Sequence, residues 1–309
     1  MDKNKIIATE VRKVFVGNPA IIHKILITLL AGGHALLEDI PGVGKTTLAV
    51  AFSKALGLSC KRMQFTPDVM PSDVIGFTMP NQLTGEMDYK PGAVMCNFFL
   101  ADEINRASTR TQSALLEAME EGNVTVDGTT YPLPDPFMVI ATQNPAGSSG
   151  TQLLPESQTD RFMIRLSIGY PSPSAELEML YRKHGNNPIP PINSVSDAAE
   201  ILLMRKQVSA IYLHNEIYDY ILRLCRATRE HSSIARGASP RCTASLMTLA
   251  QAVAYTWQRD YVLPSDILFV FTDCLSHRIL LSSEAKRNNL AIDDILNEIA
   301  TATIAPQLT

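Results

Sequence analysis

The chain has 309 residues, 46% of them hydrophobic and 19% charged, with a net charge of −4 and a pI of about 5.9. That length suits two domains and a core that needs no staples, and the acidic balance argues against nucleic acid as an obligatory partner, because neutralising phosphates needs a basic face. Cys60, Cys96, Cys225, Cys242 and Cys274 are odd in number, widely spaced and free of any CxxC pair, so idle thiols in a reducing compartment are expected.

In chain order, residues 1–15 are charged and amphipathic and lack the apolar core and small-residue cleavage site of a secretory signal. The most apolar stretch, 21–37, is interrupted by His23, Lys24, Gly32, Gly33 and His34, too often for a membrane span. A cytoplasmic protein without membrane insertion is expected. A short apolar strand at 34–37 precedes a helix at 46–58, with Leu48, Ala49, Phe52 and Leu56 on one face. Further strands are expected at 59–65, 97–101, 137–142 and 163–168. Strands separated by helices imply an α/β fold: a parallel sheet with helices on both faces.

Two hairpin signals interrupt this pattern. Residues 78–89 turn at Leu83-Thr84-Gly85, and residues 123–134 turn at Asp127-Gly128 between β-formers. Both read as projections from the sheet. Tyr170-Pro171-Ser172-Pro173 marks a boundary, after which the chain is nearly all helical, with segments at 174–183, 197–210, 215–229, 239–259 and 264–281. The expected division is residues 1–171 and residues 172–309.

Asp39-Ile40-Pro41-Gly42-Val43-Gly44-Lys45-Thr46 lies between the first strand and its helix. Gly42 and Gly44 let backbone N–H groups approach phosphate oxygens, and the helix start adds its positive end. Lys45 reaches the β- and γ-phosphates in this reading, and Thr46 binds magnesium. Pro41, Val43 and Thr47 complete the ATP-binding set. Asp39 stands where the strict phosphate loop has glycine; the alternative is a glycine-containing turn before an ordinary helix.

The apolar strand at 97–101 ends in Asp102 and Glu103. Buried carboxylates are costly unless they meet a cation or water. Asp102 suits the magnesium shell and Glu103 suits a base for the attacking water; a solvated acidic loop is the plain alternative. The strand at 137–142 runs into Gln143-Asn144-Pro145, where Asn144 either orients that water or merely forms a turn.

With these residues in place, the chain resembles the MoxR family of AAA+ ATPases over nearly its whole length. The resemblance rests on LLEDIPGVGKT at 36–46, FLADEINRAS at 99–108, QSALLEAMEEGNVTVDG at 112–128, ATQNP at 141–145, LPESQTDRF at 154–162 and GASPR at 237–241. It implies an AAA+ αβα sandwich followed by a helical lid, with the two hairpins as inserts. It makes Asn144 sensor I, Arg161 an arginine finger for a neighbouring subunit, and Arg241 sensor II, and puts the adenine contact at Val16 and Gly17. It also implies a homo-hexameric ring and chaperone-like maturation, assembly or metal insertion of protein clients, with a partner carrying a von Willebrand factor A domain.

Arg161 and Arg241 have plainer readings, as an ion-pair partner of Asp160 or a lid carboxylate and as a residue at a helix start. The competing functions are the motor subunit of a chelatase-like complex, a nucleotide-dependent scaffold with little turnover, and a nucleic-acid motor. Glu103 and Arg161 count against the scaffold, since binding alone needs neither.

Overall fold

The computed structural model describes residues 2–38, 43–83, 85–143, 154–184 and 190–307. Helices α1 (Lys3–Arg12) and α2 (Pro19–Leu30) precede β1 (Ala35–Glu38), α3 (Lys45–Ala55), β2 (Cys60–Gln64), α4 (Pro71–Ile75), β3 (Gly76–Pro80) and β4 (Met87–Pro91). Then come β5 (Phe98–Asp102), a 3-10 turn at Ile104–Arg106, α5 (Thr109–Glu121), β6 (Asn123–Val126), β7 (Thr129–Pro132), β8 (Met138–Gln143), α6 (Glu156–Thr159) and β9 (Ile164–Leu166). The remainder is α7 (Pro173–Lys183), α8 (Ala198–Ser209), α9 (Asn215–Glu230), β10 (Ile234–Arg236), α10 (Pro240–Thr256), α11 (Pro264–Leu275), β11 (Leu280–Leu281), α12 (Ser283–Arg287) and α13 (Ile292–Ala302). Two compact units result: residues 1–26, 34–161 and 166–202, and residues 27–33, 162–165 and 203–309.

The first unit carries β2, β5, β8 and β1, the first four strands in a sheet of order β2-β5-β8-β1-β9. The pairs β2–β5, β5–β8 and β1–β8 are all parallel. β8 is buried along its whole length, and β1 and β5 along all but their last residue. This is why they read as continuous apolar runs, as strands covered on both faces do. The four residues predicted to form the inner stripe, Leu48, Ala49 and Phe52 of α3 and Leu56 at its C-cap, are fully buried. Phe52 stacks on Phe98 of β5 with ring centroids 6.4 Å apart. Burying one such side chain stabilises by about 1.5–3 kcal/mol.

Both predicted hairpins lie outside the main sheet, as β3–β4 and β6–β7. The Asp127-Gly128 turn has both residues at positive φ, +48° and +79°, which matches the twist of a tight hairpin. The hairpins touch each other. The Tyr89 and Tyr131 rings stack with centroids 3.9 Å apart and planes 11° apart, and the Thr78 hydroxyl donates to the Asp127 carboxylate.

The second unit is helical, with one short two-stranded pairing of β10 and β11. α9 buries Ile217, Tyr220, Ile221, Leu224, Cys225 and Thr228, a three-to-four residue period. α10 starts at a Ser239 cap, whose hydroxyl accepts from Cys242 N at 3.1 Å, followed by Pro240. α11 departs from expectation. The apolar pattern extends a helix to residue 281, but the helix ends at Leu275, and Leu280–Leu281 pairs with β10 instead. No described helix is long and apolar enough to cross a membrane.

Candidate functional site

The register of the sheet places Gln64, Asp102, Gln143 and Glu38 at the carboxyl ends of β2, β5, β8 and β1. Gln64 pairs with Asp102, Ala101 with Ala141, and Glu38 with Gln143. Ligands of open parallel sheets bind at this edge. Asp102 Oδ1 accepts from the Thr142 hydroxyl at 2.6 Å, and Asp102 Oδ2 accepts from Arg62 Nη2 at 2.7 Å. The same Thr142 oxygen accepts from the backbone N of Glu103 at 2.9 Å. One hydroxyl therefore fixes both members of the acidic pair.

Glu103 has φ 56° and ψ 47°, the left-handed region, which a non-glycine residue adopts only when its surroundings hold it there. Two anchors do so. Thr142 holds its N–H, and the 3-10 turn Ile104–Arg106 starts from its carbonyl, with Arg106 N at 3.0 Å. Buried Gln112 of α5 ties that turn down by donating to the carbonyls of Ile104 and Ala107. The Glu103 carboxylate meets Arg106 Nη1 at 2.8 Å.

α3 opens with Gly44 at φ 94°, a residue with no side chain to cap the helix and no Cβ to crowd a ligand at its start. Lys45 is its first residue and is buried. A cleft of about 330 Å³ lies beside this helix start, lined by Val14, Phe15, Val16, Val43, Gly44 and Thr47 with Met179 and Arg182 of α7. A second cleft of about 310 Å³ includes Val16, Gly17 and Phe15. Phe15 packs so closely that a Cβ at Gly17 would fall 2.6 Å from its ring, and one at Gly44 would fall 3.4 Å away. Arg182 donates to the Val14 carbonyl at 3.3 Å and pairs with Glu178, which fixes the α7 wall.

A glycine-opened helix start with a buried cation, a mostly apolar cleft beside it and a fixed carboxylate pair on the same chain unit fit a nucleoside triphosphate with a divalent cation. Val16, Val43, Gly44 and Thr47 are thus brought together, and Asp102 and Glu103 are adjacent at the end of β5. Arg161 lies in the same unit and pairs with Glu120 of α5 at 3.2 Å. Arg241 belongs to the second unit, exposed in the first turn of α10. Asp39, Pro41, Gly42 and Asn144 lie outside the described residues. Sequence reasoning missed Thr142, Arg62, Arg106 and Phe15. Arg106 three residues after Glu103 was a readable signal; Thr142 and Arg62 reach Asp102 only through strand register.

Residues 34–164 match the model of the ATPase family associated with various cellular activities (AAA), and residues 226–299 match the AAA lid domain. Chaperone MoxR1 of Mycobacterium tuberculosis is 38% identical over 308 residues, 97% of this chain and 81% of that protein. The chain belongs to the MoxR family of AAA+ ATPases. This MoxR-family chain is also 46% identical to the YeaC protein of Bacillus subtilis over 296 residues, 96% of this chain and 92% of that one. It matches a crystal structure of a protein from Cytophaga hutchinsonii with a TM-score of 0.91 and 40% identity, covering 99% and 95% of the two chains. The αβα sheet and helical lid expected from the MoxR resemblance are the observed fold, and the family membership makes the chain an ATPase.

Proposed function

We infer that this ATPase is a magnesium-dependent, ring-forming motor, a homo-hexamer acting in the cytoplasm, that remodels or matures client proteins in a chaperone-like role. The observation that carries the reading is the acidic pair held by Thr142 on the same unit as the glycine-opened start of α3 with its buried Lys45. ATP and magnesium supply the transferable phosphoryl group and the charge that neutralises it. Lys45 provides the buried cation at the phosphates, with the loop residues Pro41, Gly42, Val43, Gly44 and Thr47 around them. Thr46 and Asp102 would hold magnesium. Both Asp102 oxygens already accept hydrogen bonds, which favours contact through water. Glu103 takes the proton of the attacking water, oriented by Asn144. Val16 and Gly17 sit at the adenine, and the Phe15-lined clefts support that placement.

Arg161 is proposed to serve a neighbouring subunit's site and Arg241 to sense the nucleotide from the lid, with a nucleotide-binding domain over residues 1–171 and a lid over 172–309. The Arg161–Glu120 pair does not oppose this. Both side chains are about one-third exposed (31% and 35%), and such pairs are worth only ~0.2–1 kcal/mol. A partner carrying a von Willebrand factor A domain is the proposed adaptor to the client. The experiment is ATP turnover of the wild type beside Glu103→Gln, with size measurement in the presence of nucleotide. Turnover lost with retained ATP binding, in a ring, supports the reading; equal turnover in both contradicts it.

A further inference from the structure

Two side chains of the second unit converge on a single backbone oxygen. His277 Nε2 and Arg278 Nη2 each donate to the Phe162 carbonyl at 2.8 Å. A carbonyl oxygen only accepts, so the His277 proton sits on Nε2. The buried Nδ1 of His277 has no hydrogen-bond partner among the described residues, which fits the neutral ring. Arg278 is buried and also approaches the Ser245 hydroxyl of α10 at 3.4 Å. Phe162 itself is fully buried. All four residues lie in the second unit, and the bond from Arg161 to Phe162 is one of the points where the chain passes into it from the first.

One donor suffices to satisfy a buried carbonyl. Here a neutral donor and a buried guanidinium are both committed to it, and burying a charge is costly unless its bonds are good. The arrangement restrains the position of one peptide, immediately after Arg161. Ser245 lies four residues after Arg241, on the same side of α10. Arg278 Nη2 thus bridges the α10 hydroxyl, one turn beyond Arg241, and the Phe162 carbonyl.

We propose that His277 and Arg278 are positioning residues that hold the Phe162 carbonyl to aim Arg161, and that Ser245 links this anchor to the helix bearing Arg241. The proposal rests on Arg161 acting as the finger. Neither His277 nor Arg278 touches the reacting atoms; both act through the backbone.

The test measures single-turnover ATP hydrolysis, ATP affinity with a fluorescent analogue, and ring formation by sedimentation. Arg278→Met should lower the hydrolysis rate by up to ~10²-fold, the scale of a misplaced catalytic group, with ATP affinity and ring formation unchanged. His277→Leu should lose rate, while His277→Gln, whose amide can donate in place of Nε2, should restore it. In an Arg161→Ala background, Arg278→Met should have no further effect. An equal fold loss in both backgrounds would overturn the proposal. So would His277→Gln being as slow as His277→Leu. Full turnover by Arg161→Ala alone would instead remove the finger reading, a separate and recognisable result. If Arg278→Met does not fold, Arg278→Lys and Ser245→Ala carry the same comparison, with a few-fold loss expected in the wild-type background and none in Arg161→Ala.

Discussion

Thr142 donates its hydroxyl to Asp102 at 2.6 Å and receives the backbone N–H of Glu103 at 2.9 Å through the same oxygen. The Asp102 carboxylate and the Glu103 backbone are thereby held from the neighbouring strand, and Glu103 is kept in a backbone conformation it would not choose alone.

Thr142→Val keeps shape and removes the hydroxyl. It leaves a part-buried N–H and a carboxylate oxygen without this partner, so stability should fall by ~1–3 kcal/mol, and turnover should fall with it. Thr142→Ser should recover both. Urea unfolding beside ATP turnover checks the pair; a Thr142→Val protein with wild-type turnover would show that the hydroxyl does not fix the acidic pair.

Glu103→Gln should bind ATP as the wild type does and lose ~10²–10⁴-fold in hydrolysis, the range a positioned general base supplies. Titration with a fluorescent analogue and a phosphate-release assay separate the two effects. Equal loss of both would mean that Glu103 serves the fold and not the reaction.

Arg62 competes with any cation for Asp102, and its side chain is half exposed (50%). Removing it should favour magnesium. An exposed ion pair is worth ~0.2–1 kcal/mol, so Arg62→Ala should lower the magnesium concentration for half-maximal activity by no more than about fivefold. Asp102→Asn should raise it. A magnesium titration of turnover reads both, and a shift of Arg62→Ala to higher magnesium would mean that Arg62 helps to build the site.

His277 is held well below the ordinary imidazole value of 6.5, first by burial, then by the adjacent Arg278 charge and by Arg165, with the Phe162 bond pulling the other way. The unfolded chain therefore takes up a proton that the folded chain refuses. This contribution is fully present above about pH 6.5 and is lost as pH falls below it. The wild type should lose more stability than His277→Gln between pH 7 and pH 5. Parallel denaturant unfolding measures the difference, and identical pH slopes would contradict a neutral His277.

Much of this site was legible in the sequence because its signals are local. The loop from strand to α3 is marked by glycine, lysine and threonine spacing, and β1, β5 and β8 by apolar runs that only doubly covered strands carry. The apolar stretch at 21–37 excludes a membrane span, and Pro19 with the spacing of Ile21, Ile22, Ile25, Leu26 and Leu29 marks the helix α2. α11 was overextended because Ile279, Leu280 and Leu281 continue an apolar pattern, and their pairing with Ile234–Arg236 depends on residues about 45 positions earlier in the chain. Thr142 and Arg62 stayed invisible for a related reason. Each lies 40 positions from Asp102, and no short-range pattern encodes a parallel register.

The proposed hydrolytic site is complete only when two subunits meet, and mixing experiments test this most directly. Lys45→Ala removes the cation proposed for the nucleotide pocket, and Arg161→Ala removes the proposed finger, an element worth ~10³–10⁵ in rate in phosphoryl-transfer enzymes. Each protein alone should be nearly inactive. Mixed at concentrations where sedimentation shows rings, they should recover hydrolysis above the sum of the two, because one supplies an intact pocket and the other an intact finger. Mixed rings with no gain over that sum would contradict the shared site.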